Sequence, residues 1–175
     1  MARVKLTLEQ FRDRMGRMNP IISAGILGGM RAGLLLAQKS SKREYFLSGG
    51  GAVDAKTLTS RSGKLRNSVR VIEPYASGNL YIGGLRAGGA GIPYAGIHER
   101  GGTTAPHVIL PKKGQWLSWL DKTGVRRYAR RVRHPGSRIP ARPYLYPALE
   151  KSLPQISKQV AVAVEVAFAK GLGGG

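Results

Sequence analysis

The segment Gly50-Gly51-Ala52-Val53-Asp54-Ala55-Lys56-Thr57 carries the glycines, lysine and hydroxyl of a phosphate-binding loop. Such a loop needs consecutive backbone N–H groups curled around phosphate between a strand and a helix. Alanine stands where the second glycine belongs and no clear strand precedes it, so a soluble loop is the expectation. The three histidines, His98, His107 and His134, lack metal-ligand spacing, and the carboxylate beside one of them is Glu99. The nine acidic residues (Glu9, Asp13, Glu44, Asp54, Glu73, Glu99, Asp121, Glu150 and Glu165) are scattered, which gives a paired-carboxylate nuclease or glycosidase no support. Ser62 and Ser68 have no histidine partner by motif. With no cysteine the chain can build neither a disulfide, a zinc-thiolate site nor a thiolate nucleophile. The sequence therefore reads as a non-enzyme, with no catalytic residue, metal or cofactor expected.

The chemistry left is charge. Twenty-nine Lys and Arg stand against nine acids, giving +20 and a pI of about 11.1. Residues 122–142 hold eight basic side chains and no acid: Lys122, Arg126, Arg127, Arg130, Arg131, Arg133, Arg138 and Arg142. Side chains alternate along a strand, so Arg126 and Arg130 would separate from Arg127, Arg131 and Arg133, with guanidinium groups about 6–7 Å apart on a face. Backbone phosphates repeat on a similar scale and arginine grips them bidentately. A charged edge strand protected from aggregation would use the same residues. A second basic cluster, Lys56, Arg61, Lys64, Arg66 and Arg70, surrounds a loop-to-strand junction. No helix-turn-helix, zinc-finger or ribonucleoprotein aromatic motif is visible, so contact with DNA would be with its backbone.

The elements that must position these residues follow from periodicity. Thr7 and Gln10 have capping-box spacing, and Leu8, Phe11, Met15 and Met18 recur at helical intervals. Asn19-Pro20 is expected to stop that helix and start a second one, running to about Ser40. Glycines 25, 28, 29 and 33 each cost that helix about 1 kcal/mol against alanine. Close approach of another helix, within the protomer or across a subunit interface, would offset them. Its apolar run, residues 20–37, is broken by Arg31 and marginal against the ~20 residues of a bilayer span, so no membrane contact is expected. The start of the chain is polar rather than an apolar secretory core.

Residues 46–63 read as a mobile loop. Strand-like stretches at 68–72 and 79–82 flank a turn at 74–78, and a Gly-rich loop is expected at 83–91. Three more strands, 108–110, 116–120 and 125–132, form a meander with turns at Lys112-Lys113-Gly114 and Asp121-Lys122-Thr123-Gly124. Prolines 135–143 make an extended connector. A final helix runs from near Pro143 to about Lys170, kinked or divided at Pro154. The expectation is one α+β domain over residues 1–175, an antiparallel sheet of about four to five strands packed against N-terminal and C-terminal helices. Its parts are helices to residue 45, loop 46–63, sheet 64–134, then connector, helix and Gly-rich tail to 175.

Three stretches carry a resemblance: Leu58-Thr59-Ser60-Arg61-Ser62-Gly63-Lys64-Leu65-Arg66-Asn67-Ser68-Val69, Tyr94-Ala95-Gly96-Ile97-His98-Glu99-Arg100-Gly101-Gly102, and Ile139-Pro140-Ala141-Arg142-Pro143-Tyr144-Leu145-Tyr146-Pro147-Ala148-Leu149. In order and spacing they resemble the neck and tail-completion proteins of tailed bacteriophages, the head-tail joining and virion-morphogenesis families. His107-Val108-Ile109-Leu110-Pro111-Lys112-Lys113-Gly114 and His134-Pro135-Gly136 look like the same group. Departures are Ser62 where threonine is usual, Tyr144 where phenylalanine is usual, and the long Gly-rich loop. The resemblance implies a structural virion protein at the head–tail interface, made in the host cytoplasm and assembled as a homo-oligomeric, hexameric ring. Its neighbours would be the head connector or stopper and the tail terminator or tail-tube proteins, with nonspecific contact to packaged DNA. Gly63, Leu65, Arg66, Ser68, Tyr94, Glu99, Gly101, Pro140, Arg142, Pro143 and Pro147 are expected to carry fold and assembly, with Tyr94 and Tyr144 in the core. The alternative is a nonspecific nucleic-acid-binding protein acting through its basic surface.

Overall fold

The computed structural model describes residues 8–48 and 57–173; the capping-box Thr7 and most of the phosphate-loop look-alike lie outside the described residues. The fold is α+β, with four helices and two-stranded sheets among the described residues. In chain order it runs α1 (Leu8–Glu44), β1 (Phe46–Ser48), β2 (Leu58–Ser60), α2 (Lys64–Ser68), β3 (Arg70–Ser77), β4 (Leu80–Arg86) and α3 (Ala95–Arg100). Then come β5 (Gly102–Thr103), β6 (His107–Ile109), β7 (Leu117–Leu120), β8 (Arg126–Ala129), β9 (Val132–His134), β10 (Arg138–Ile139) and α4 (Tyr146–Gly173). Two compact units form: Met1–Ala95 with Arg142–Gly175, and Gly96–Ala141.

The first unit is built on an antiparallel pair, α1 against α4. Gly25, Gly29 and Gly33 recur every four residues and so lie on one face of α1. A Cβ on Gly29 would lie 2.6 Å from the Val160 Cα and 2.7 Å from the Gln159 carbonyl oxygen; one on Gly33 would lie 2.6 Å from the Ile156 Cα. The two backbones touch there. Gly28 meets nothing within 4 Å and is exposed, so the close approach uses three of the four expected glycines. Residues 18–44 of α1 are long and apolar enough to cross a membrane by length and composition alone. The glycine stripe within that stretch is packed on α4.

Two helices were expected where α1 is one, because Asn19-Pro20 does not end it. An internal proline removes one backbone hydrogen bond and costs about 3 kcal/mol or more. Pro20 is exposed, while Met18 is buried and the Met18 and Ile21 side chains approach Gly171 of α4, so tertiary packing holds the helix on both sides. Pro154 likewise sits inside a single α4.

The C-terminal end of α1 organises the core. Its Ser41 hydroxyl donates to the Tyr144 carbonyl at 2.7 Å, and Gln38 Nε2 donates to the Val69 carbonyl at 2.7 Å. Arg66 Nε donates to the Lys42 carbonyl at 3.0 Å, satisfying one of the acceptors that a helix end leaves open. Phe46, Leu58, Val69 and Tyr144 are buried together, with the Phe46 and Tyr144 rings edge to face at 5.1 Å. The expected loop 46–63 thus contains a parallel pair, β1 with β2, that delivers Phe46 and Leu58 to this core. Residues 64–68, expected as the start of the sheet, are helical. Gly63 at φ +70° makes the turn into them.

The expected hairpin forms as β3–β4, with its turn at Gly78-Asn79 rather than 74–78. Gly78 supplies the left-handed backbone that a two-residue turn needs. Pro74 instead lies at a register shift between Ile72 and Tyr75, where a missing N–H costs the ladder nothing. Gly83 and Gly84 belong to β4, and Leu34 of α1 reaches Gly83, so helix packs on hairpin. No sheet of four or five strands forms among the described residues.

Gly28→Ala and Gly29→Ala remove the same helix-propensity penalty, yet they should move stability in opposite directions. Urea unfolding is expected to show Gly28→Ala neutral to stabilising by up to about 1 kcal/mol. Gly29→Ala should destabilise by about 1–3 kcal/mol through overpacking. Equal effects would contradict the helix contact.

Candidate functional site

The dense basic segment lies in the second unit. Its strands pair in a nested way: Gly102 with Ile139, Thr103 with Arg138, His107 with His134, Ile109 with Val132, Leu117 with Ala129 and Leu120 with Arg126. Residues 102–139 therefore form one antiparallel ribbon, interrupted twice and turning at its tip. The expected meander is not what forms, because β6 pairs with β9 and not with β7. A bend at Arg130 divides the expected strand 125–132, and β8 and β9 serve different partners.

The tip is fixed by one carboxylate. Asp121 Oδ1 accepts from Thr123 N at 3.0 Å, Thr123 Oγ1 at 2.6 Å and Val125 N at 3.0 Å, and its Oδ2 pairs with Arg127 Nε at 2.9 Å. The Thr123 hydroxyl and the Arg127 guanidinium, in that order, hold the Asp121 carboxyl down to about 2. Gly124 at φ +81° closes the turn. At the other end, Gly136 at φ +91° donates its N–H to His134 Nδ1 at 3.0 Å, and a Cβ there would strike the Thr104 carbonyl oxygen. His107 and His134 stack at 4.9 Å. No cluster of potential metal ligands occurs among the described residues.

The bend ends the guanidinium ladder expected along a single strand. Arg126 Nη1 donates to Ser118 Oγ at 3.1 Å, Arg127 is held by Asp121, and Arg130 lies over the Trp116 ring at 5.0 Å. Lys122, Arg131, Arg133 and Arg138 are exposed and form no ion pair among the described residues. Arg142 falls outside the ribbon and is half-buried.

What the sequence reading missed is the apolar partner of this charge. No residue from Gly96 to Ala141 is buried, yet Val108, Leu110, Trp116, Trp119, Leu120, Val125 and Tyr128 are large and exposed, Leu120 and Tyr128 by 61% and 62%. Ile109, Leu117, Trp119 and Val132 also line an apolar hollow of about 280 Å³. Alternation of Trp, Leu, Arg and Tyr in sequence signalled strands, but not that both faces would remain in solvent.

The motif residues divide between the units. Leu65, Arg66, Ser68 and Tyr144 meet around the first unit's core: Ser68 Oγ donates to the Leu65 carbonyl at 2.7 Å and accepts from Gly88 N at 3.0 Å, and the Tyr144 hydroxyl donates to the Ala95 carbonyl at 3.3 Å. Pro143 is exposed ahead of α4, and Pro147 lies in its first turn. Gly101, at φ +71°, is pressed against Ala141 N in the second unit, beside Pro140, and Glu99 is half-buried in α3. Tyr94 does not join the core: it is 37% exposed, where Tyr144 alone of the two expected rings is buried. Comparison with protein-family models, curated protein sequences and solved structures finds no match to this chain.

The tip carries a pH signature. Asp121 is held below the ordinary aspartate value of 3.8, so its contribution is complete above that pH and is lost as pH falls through about 2. A carboxyl-detected NMR titration should give a midpoint near 2, with Thr123 and Val125 amide protection falling over the same range. A midpoint near 3.8 would mean that the turn is not held this way in solution.

Proposed function

We propose that this chain is a structural, non-enzymatic subunit of a tailed-phage virion, a tail-completion or neck protein that forms a homo-oligomeric ring joining tail to head connector around the DNA path. The observation that carries the reading is the ribbon 102–139, which exposes seven large apolar side chains and buries no residue. An isolated two-stranded ribbon is marginally stable at best in water. Large apolar side chains left exposed on both faces of a ribbon mark an interaction site. Assembly supplies what the protomer lacks: a head-to-tail contact that repeats around a closed ring covers one such surface on every copy. Open ribbon edges invite strand pairing, which a neighbouring subunit would supply. The resemblance of the ordered motifs points the same way, and Leu65 and Tyr144 from them pack in the first unit's core.

The ribbon's charge suits a position beside DNA or acidic neighbours. It carries nine basic residues against one acid, Asp121, and that acid is engaged by Arg127. Lys122, Arg131, Arg133 and Arg138 are the groups free to meet phosphate or carboxylate. A ring of such subunits would place a strong positive field along its lining. The resemblance sets the expected ring at six subunits, in the virion neck.

Native mass spectrometry and electron microscopy of the purified protein should show a closed ring, and virions should contain it at the neck. Replacing Trp119, Leu120 and Tyr128 by serine should reduce the ring to monomers with helical circular dichroism retained. A monomer that binds duplex DNA with log K falling by about 0.9 per phosphate neutralised against log salt, with no ring and no presence in particles, would replace this reading by the nucleic-acid-binding one.

A further inference from the structure

A separate basic site lies in the first unit. Lys64, Asn67, Ser68, Arg70, Arg86 and Ile92 line an open pocket of about 400 Å³ beside the hairpin β3–β4. Arg70 and Arg86 are directly opposed across that hairpin. Like charges so placed repel, and an anion lying between them would relieve that repulsion. No acidic side chain lines the pocket, and neither Lys64 nor Arg86 has an ion-pair partner among the described residues. Arg70 is held in place by donating Nη1 to the carbonyls of Asn67 and Val69. The Ser68 hydroxyl is committed to Leu65 and Gly88, so it fixes the wall. The positive field extends behind the pocket, where burial, then Arg70, then Arg66 push the Lys42 ammonium below its ordinary value.

We propose that this pocket binds a phosphate-class oxyanion, with Arg86, Arg70, Lys64 and the Asn67 carboxamide as donors. Three cations around one hollow match a tetrahedral dianion with several acceptor oxygens. A side-chain carboxylate brings one negative charge and two coplanar oxygens, and would leave most of the repulsion in place. Arginine forks and a lysine point charge are the groups that recognise phosphate. The site is distant in sequence from the ribbon and stands whether or not the virion reading does. The phosphate can belong to a small molecule or to a nucleic-acid backbone, which share this chemistry.

The test uses the full chain at constant ionic strength, with inorganic phosphate, adenosine monophosphate and a short DNA duplex as probes. A ligand that binds the folded state raises the melting temperature, so phosphate should raise it above an equal ionic strength of chloride. Calorimetry should show phosphate binding weakened about tenfold by Arg86→Gln and by Lys64→Gln, while Arg133→Gln in the ribbon leaves it unchanged. Duplex that displaces phosphate from the parent protein but not from Arg86→Gln assigns the backbone source. Phosphate and nucleotide binding indifferent to duplex assigns the small-molecule source. Equal melting in phosphate and chloride, or an Arg86→Gln protein that binds phosphate as tightly as the parent, overturns the proposal.

Discussion

The first unit depends on one contact, the approach of α1 to α4 through Gly25, Gly29 and Gly33. Glycine in a helix is unfavourable by itself, and three on one face are tolerated because backbone meets backbone there. With the two helices fixed at that separation, the C-terminal end of α1 and the start of α4 come together, and Ser41 can reach the Tyr144 carbonyl. That bond places the Tyr144 ring against Phe46, and the core cluster closes around the pair. The same contact explains why two internal prolines leave both helices continuous: packing along their length outweighs one lost hydrogen bond at each.

The ribbon is held by different physics. It gains little from burial, because none of its residues is fully buried. Its geometry comes from local polar constraints: the Asp121 carboxylate gathers three donors at the tip beside Arg127, and Thr104 and Ser137 exchange backbone and hydroxyl bonds near the base. Such bonds fix shape but contribute only modestly to net stability. A segment that is shaped yet uncovered is suited to a surface that completes itself by binding. The helix pair supplies cohesion within the first unit, and under the proposed assembly the ribbon would supply it between molecules.

These differences decided what could be read in advance. The glycines of α1 announced a close neighbour because their penalty needed an offset, although sequence alone could not separate Gly28 from the three that touch. The Asp121 to Gly124 turn was legible because its residue types encode it. Strand pairing was not: β6 has the composition to pair with β7 or β9, and the choice rests on where the chain bends at Arg130. The helix at 64–68 was hidden by its strand-like continuation into Val69 and Val71, and the exposure of Tyr94 by its motif likeness to Tyr144. Arg86 stood outside every basic cluster in sequence. Only the hairpin register brings it to Arg70.

Charge ties the two units to a common requirement. Twenty positive charges remain in excess after all nine acids are counted, and among the described residues Arg31–Glu73, Arg127–Asp121 and Lys151–Glu44 are ion pairs. Two of those pairs, Arg31 with Glu73 and Lys151 with Glu44, brace the first unit, and one sets the ribbon's tip. Those three acids are engaged locally, and most of the positive charge has no acid to match it within the chain. Self-repulsion of that size opposes compactness in one molecule and opposes association of several identical ones still more. A ring built from such subunits becomes stable only when apolar contact outweighs the repulsion or an anionic body shares the space. In the proposed assembly the exposed apolar side chains of the ribbon would meet the first condition, and DNA phosphates or acidic neighbouring proteins the second. If the proposed ring forms, assembly of copies and binding of anion would for this reason be coupled: each anion taken up would lower the cost of bringing the next subunit in, so ring formation should tighten wherever phosphate or acidic partners are present.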